Sequence, residues 1–122
     1  MIQFTLPFPP SMNHYWRAFK GRKIISESGR RYRTEGLAIF DALRANAGRI
    51  EALAGPVEMV LDLYPPDKRR RDCDNHIKAI GDLLTHAGIW GDDSQVKRLV
   101  VIMHDPGHEM RGTCRVTLSV IK

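Results

Sequence analysis

Long apolar runs are missing from this chain, and so is a cysteine framework. Only Cys73 and Cys114 are present among its 122 residues. That is too few for the disulfide scaffold that staples small secreted domains. No stretch approaches the roughly 20 consecutive apolar residues of a membrane-spanning helix. There is no glycine-rich phosphate loop of the P-loop kind, no internal repeat, no low-complexity tract and no interdomain linker. The opening residues Met1–Pro7 carry no basic leader and are interrupted by proline. These absences lead us to expect a single domain over residues 1–122, with reduced thiols, in the cytoplasm and with no membrane partner.

Acid is scarce where base is abundant. Across residues 17–33, Glu27 is the lone carboxylate among Arg17, Lys20, Arg22, Lys23, Arg30, Arg31 and Arg33. Lys68, Arg69, Arg70 and Arg71 follow one another without interruption. The formal net charge is +5 and the pI about 9.6, a moderate excess that points to an anionic partner. The carboxylates gather elsewhere, at Asp72, Asp74, Asp92 and Asp93. A separation of this kind predicts a basic surface around a small acidic pocket.

Apolar residues alternate at Ile2, Phe4 and Leu6, and again at Val57, Met59, Leu61 and Leu63, predicting two half-buried strands. Proline closes each, at Pro7–Pro10 and Pro65–Pro66. Residues 12–20 read as loop, followed by a short extended piece at Lys23–Ile25. Ser26 is a good helix cap, and Leu37, Phe40, Leu43 and Ala47 mark the buried face of a helix running to about Asn46 and stopped by Gly48. A second helix should start near Asp74 or Asn75, bury Ile77, Ile80 and Leu84, and stop at Gly88. Residues 96–103 and 113–121 read as strands joined in a hairpin through Asp105–Gly112. The fold class expected is α+β: one mixed β-sheet of about four strands with two main helices.

The sequence Arg69-Arg70-Arg71-Asp72-Cys73-Asp74-Asn75-His76-Ile77-Lys78 carries the chemistry. Guanidinium groups neutralise a polyanion. Magnesium takes one or two carboxylates together with phosphate oxygens. Side by side, they suit metal-assisted phosphodiester hydrolysis. Asp72 and Asp74 converge only if they precede a helix or straddle its first residue, since residues two apart diverge within a helix. The bland alternative is that Asp74 or Asn75 caps the helix and Asp72 pairs with an arginine. One of Asp92 and Asp93 is a candidate third ligand; as alternatives, either caps the turn at Ser94. A helix over 75–87 spans roughly 18–20 Å, and residues 88–93 reach about 20 Å at most. A return to the same metal therefore needs a nearly straight loop, an approach from the side of the helix, or another subunit. Lys78 lies one turn beyond Asp74, where it can meet a phosphate or simply pair with Asp74.

Other features carry less. Aromatic and cationic residues mix at His14-Tyr15-Trp16-Arg17, which suits stacking on unpaired bases as well as packing on the sheet. Trp90 is expected in the core beneath the Asp93 loop, and Cys73 as a small filler between two aspartates. Cys73, His76 and Cys114 lack zinc-ligand spacing. His86, His104 and His108 show none either and read as surface or turn residues.

Taken together, three blocks resemble the RusA family of Holliday junction resolvases: Leu6-Pro7-Phe8-Pro9-Pro10-Ser11-Met12-Asn13, Arg69 to Lys78, and Ala87-Gly88-Ile89-Trp90-Gly91-Asp92-Asp93-Ser94-Gln95-Val96. The departures are Cys73 and His76, where apolar residues are usual. The resemblance implies a small homodimeric, magnesium-dependent endonuclease that nicks two strands symmetrically at a four-way DNA junction in recombination and repair, with manganese as a substitute ion. It implies that Asp72, Asp74 and Asp93 are metal-binding catalytic carboxylates and that Lys78 is the active-site lysine. The basic residues Lys68, Arg69, Arg70, Arg71, Arg17, Lys20, Arg22 and Lys23 are the expected DNA contacts. A non-catalytic DNA-binding module and a general metal-dependent nuclease are the alternatives. The final strands add a hint of a second copy: Val100 and Ile102 alternate with Leu99, Val101 and Met103, leaving more apolar surface than one helix layer covers.

Overall fold

A computed structural model describes the chain from Met1 to Lys122. Its elements run β1 (Ile2–Pro7), α1 (Met12–Tyr15), β2 (Trp16–Phe19), β3 (Arg22–Ile25), α2 (Glu27–Ala47), β4 (Val57–Tyr64), α3 (Ile77–His86), β5 (Val96–Met103) and β6 (Thr113–Val120). Single 3-10 turns, Cys73–His76 and Asp93–Gln95, precede α3 and β5 respectively. The α+β class and the four-stranded mixed sheet with two long helices are as expected. No helix is long and apolar enough to cross a membrane.

The sheet order is β1-β6-β4-β5. β6 lies antiparallel to both β1 and β4, pairing Leu118 with Ile2 and with Met59. β4 and β5 run parallel, with a bulge between Val57 and Glu58. This corrects the expected hairpin: β5 and β6 are not neighbours. The reason lies in their side chains. Cys114, Val116 and Leu118 of β6 are buried and fit a central strand. Lys97 and Arg98 of β5 are exposed, and charges of this kind suit an edge. A parallel pair also needs a long crossover, which α3 supplies between β4 and β5.

One face of the sheet holds the core. Phe4, Leu6, Val57, Met59, Leu61, Leu63, Val116 and Leu118 cluster there with Phe40 from α2 and Ile80, Leu83 and Leu84 from α3. Truncating Leu83, which is fully buried, should cost about 2–5 kcal/mol. Ser26 caps α2 by accepting from the Gly29 amide, and Gly48 ends it with φ 85°. The buried face of α2 is Gly29, Tyr32, Gly36 and Phe40 rather than the stripe through Leu43, which is exposed. Gly36 explains the shift: its missing side chain is where Leu83 of α3 packs, so the helices meet at close range.

The loop expected at residues 12–20 is instead the short helix α1 followed by the hairpin β2–β3. Here tertiary packing overrides a weak local pattern. Tyr15 is buried, and its hydroxyl donates to Asp82 of α3. Arg33 of α2 pairs with the same carboxylate at 2.6 Å. Burial pushes the Tyr15 hydroxyl up to about 12, and its bond to Asp82 adds to this. Burial alone would raise the Asp82 carboxyl, but the bonds from Tyr15 and Arg33 outweigh it and hold it below the usual range.

Candidate active site

The basic loop after β4 is ordered by its own aspartate. Arg71 pairs with Asp67 at 2.8 Å and donates to the carbonyls of Asp67 and Arg69 at 3.1 and 3.2 Å. Its guanidinium also lies over the Phe8 ring, 5.4 Å from the centroid. The hydrogen bond from Arg71 holds the Asp67 carboxyl below the usual range. The Arg69 amide donates to Asp67 at 3.0 Å, but its side chain comes no nearer than 3.9 Å and is 84% exposed, against 16% for Arg71. Lys68 and Arg70 are exposed. The four basic residues therefore divide: Arg71 is built into the loop, and the other three face solvent. Asp67 escaped the sequence reading, although its spacing of four from Arg71 was a usable sign.

The loop leads into the turn Cys73–His76. Asp72 stands before it in extended backbone, and its side chain makes no capping bond. The helix onset is thus a 3-10 turn with the α-helix proper starting at Ile77, slightly later than the expected start at Asp74 or Asn75. The bland alternative, capping by Asp74 or Asn75 with Asp72 paired to an arginine, is not what the chain does: neither residue makes a capping bond and Asp72 forms no ion pair. Cys73 is exposed rather than a filler. His76 is the residue that turns inward. Its Nδ1 lies 3.0 Å from the Pro9 carbonyl oxygen, and since that oxygen only accepts, Nδ1 carries the hydrogen. Its ring sits 4.9 Å from Phe8. Burial holds the His76 pKa below its ordinary value, outweighing the bond to Pro9. His76 thereby ties the proline-rich segment to the start of α3.

Asp92 and Asp93 have different positions. Asp92 caps the turn Asp93–Gln95, accepting from the Ser94 amide at 3.1 Å. Gln95 closes the box from the other side, accepting from the amides of Gly91 and Asp92 and donating to the carbonyls of Leu53 and Gly55. Trp90 is buried beneath this loop, as expected, with its indole donating to Thr85. The loop so fixed lays Asp93 on the side of α3, beside Gly81 and with Oδ2 3.3 Å from Lys78 Nζ. Asp93 thus approaches α3 from its side and within one chain. Lys78 pairs with Asp93, not with Asp74 as in the simple helical-pair reading.

Asp74, Lys78, Gly81 and Asp93 line one cavity of about 400 Å³, with Met12 and Ile77 at its apolar side. A second cavity of about 590 Å³ is lined by Asp72, Arg69, Arg70, Arg71 and Asn75 on one side, and by Ser11, Asn13 and His14 on the other. Neighbouring residues of two segments, 11–13 and 72–75, serve the two cavities, which therefore share a wall. The structure gathers no group of three His, Cys, Asp or Glu side chains at metal-binding distance. The donor chemistry nonetheless fits magnesium, which needs only one or two carboxylates beside water and phosphate oxygens. Asp93 bonds no group but Lys78, and the Asp72 and Asp74 side chains bond none, so their oxygens are free for such a role. Asn13, and Asn75, which the sequence offered only as a helix cap, line the second cavity with their amides. Arg17, Lys20, Arg22 and Lys23 lie apart from both cavities, on the β2–β3 hairpin.

A cavity pairing two carboxylates with Lys78 and Lys97 beside a guanidinium-lined one, on a small α+β domain, suits a phosphodiester-directed protein. Comparison with known proteins agrees. The model of the family described as endodeoxyribonuclease RusA matches residues 7–120. A crossover junction endodeoxyribonuclease of Enterobacteria phage 82 is 46% identical over 92 residues, covering 75% of this chain and 73% of its own. That of Escherichia coli K12 is 45% identical over 92 residues with the same coverage. That of Enterobacteria phage HK97 is 39% identical over 100 residues, covering 82% of this chain and 80% of its own. The chain belongs to the RusA family of endodeoxyribonucleases.

Proposed function

We propose that this chain is a magnesium-dependent, structure-selective endodeoxyribonuclease that resolves four-way DNA junctions by paired nicks in recombination and repair, working as a homodimer. The observation that carries the reading is the convergence of Asp74, Lys78 and Asp93 on one cavity, next to Asp72 and the arginine-lined cavity. Asp72, Asp74 and Asp93 would hold magnesium. When bound, such an ion supplies Lewis-acid activation of water and neutralises charge on the leaving oxygen. Lys78 has two tasks: it holds Asp93 in place and presents an ammonium to the scissile phosphate. Arg69, Arg70 and Lys68 bind flanking phosphates, contacts that fix register and carry no base information. Arg71 shapes the loop that presents them.

The dimer reading is supported by the open side of the sheet. No helix covers Val60, Val100 and Ile102, and Ile102 on the edge strand is 43% exposed. Two copies related by a two-fold axis place two sites at fixed spacing, as paired nicks require. The test is to incubate the protein with a labelled four-way junction, a linear duplex and an RNA hairpin, each with and without magnesium. Nicking of the junction alone, and only with magnesium, is the expected result. Equal cutting of duplex or RNA would reject structure selectivity.

A further inference from the structure

The β2–β3 hairpin has no part in the acidic site, and its composition is unusual for a surface ribbon. Residues 16–25 contain Arg17, Lys20, Arg22 and Lys23 and no carboxylate. None of these four cations forms an ion pair within the chain. At the tip, Phe19 is 44% exposed. The Arg17 guanidinium and the Lys20 ammonium lie 5.4 and 5.5 Å from its ring centroid. An apolar ring held out in solvent between unpaired cations is a surface made for a ligand with both an aromatic face and negative charge.

The hairpin is shaped for reach as well as for charge. Phe19 pairs with Arg22 across a two-residue turn, Lys20–Gly21, whose φ values are 49° and 73°. Positive φ at both positions gives the tight turn that keeps a ribbon narrow. Its outer half, from Arg17 to Lys23, is exposed throughout. Its root is fixed. The Ser26 amide donates to the Tyr15 carbonyl at 2.8 Å, and Trp16 packs edge-on against Tyr15 at 5.1 Å. That root continues directly from Met12, Asn13 and His14, which line the two cavities. At about 3.3 Å per residue, a four-residue strand carries the tip roughly 13 Å beyond them.

We infer that Phe19 is a base-stacking residue that engages unstacked bases at the branch point of the DNA, giving selectivity for branched over linear substrate. This deepens the proposed function and rests on it. Within a linear duplex every base face is already covered by its neighbours, so the hairpin finds only phosphates there. At a branch the stack is interrupted and an aromatic ring can complete it. Base–aromatic stacking is tolerant of sequence, so the ring reads shape rather than base identity. Arg17, Lys20, Arg22 and Lys23 hold the phosphates beside it.

The test compares binding of the full-length protein to a four-way junction and to a linear duplex, in calcium to prevent cutting. Phe19→Ala should weaken junction binding about tenfold, the size of one base–aromatic stack, and leave duplex binding unchanged. Phe19→Trp should restore it, and Lys20→Ala should weaken both substrates. A 2-aminopurine at the branch should change its fluorescence on binding wild type and not on binding Phe19→Ala. Equal loss on both substrates would reduce Phe19 to a general contact and overturn the inference. So would a change in oligomeric state on Phe19→Ala, which would make the ring a subunit contact. If wild type cuts junctions selectively while Phe19→Ala discriminates as well as wild type, the inference fails and the proposed function stands. If wild type neither prefers nor cuts junctions, both fail.

Discussion

Lys78 Nζ sits 3.3 Å from Asp93 Oδ2, across a gap of 15 residues in sequence, while the Asp74 carboxylate one turn before Lys78 remains unpaired. The ammonium therefore anchors the loop carboxylate to α3 and leaves the helix-start carboxylate free. Lys78→Ala should lower nicking on the order of 10²–10³-fold, the scale of a lost electrostatic contact to the reacting group. Junction affinity should fall little. A variant that cuts at the wild-type rate would leave Lys78 a structural tether only.

Asp72→Asn, Asp74→Asn and Asp93→Asn should each abolish nicking, with junction affinity equal or higher, because each removes negative charge next to DNA. Asp92 is the internal control. It caps its turn and faces Ser94, so Asp92→Asn should keep near-normal nicking with a small drop in melting temperature. Single-turnover cleavage and gel-shift titration of the four variants separate these outcomes.

The basic loop should divide by function. Neutralising Arg69 or Arg70 should each reduce the slope of log affinity against log salt by about one. Asp67→Ala should instead loosen the loop by releasing Arg71, seen as faster amide exchange at residues 67–72. An unchanged slope in the double variant Arg69→Ala/Arg70→Ala would move the phosphate contacts elsewhere.

Acidification should lower the protein's stability in two stages. His76 titrates below its ordinary 6.5 when folded because burial disfavours its charged form. The unfolded chain then binds more protons, so stability is full above about pH 6.5 and falls as pH drops through the folded pKa. Asp82 is also depressed by its partners. Its contribution is present above the ordinary carboxylate value of 3.8 and is lost further into acid. Melting temperature measured from pH 7.5 to 3 should show both stages. His76→Leu should remove the first stage while lowering stability at pH 7.5, since the Pro9 carbonyl loses its donor. Asp82→Asn should weaken the second stage and cost about 1–2 kcal/mol at neutral pH, one edge of the Tyr15–Arg33–Asp82 cluster being open to water.

Much of this was legible in the sequence, for identifiable reasons. Strict alternation in Val57–Leu63, and a serine cap with a glycine stop around α2, fixed those elements because each signal is local. Pairing order was not local. Within residues 96–121 only Lys97 and Arg98, charges that suit an edge, pointed to β5 lying outside; that β6 runs between β1 and β4 is set by distant strands. Of the β2–β3 hairpin only the extended piece at Lys23–Ile25 was legible; Trp16–Phe19 buries little and so carries no alternation. At the site, charge and spacing named Asp72, Asp74, Lys78 and one of Asp92 and Asp93, and the family resemblance chose Asp93. The division between Asp92 and Asp93, and the separation of Asp72 from Asp74 by a shared wall, depended on backbone direction at two short turns. His76 was read as a departure from an apolar pattern, whereas its polar side is used against Pro9.

The most direct test of the central claim is to map the nicks on a four-way junction labelled separately at each 5′ end. With magnesium, two nicks are expected at symmetry-related positions in one opposed pair of strands, with ligatable duplex products, and none of these with Asp74→Asn. Unpaired nicks scattered over all four strands, or full activity from Asp74→Asn, would contradict it.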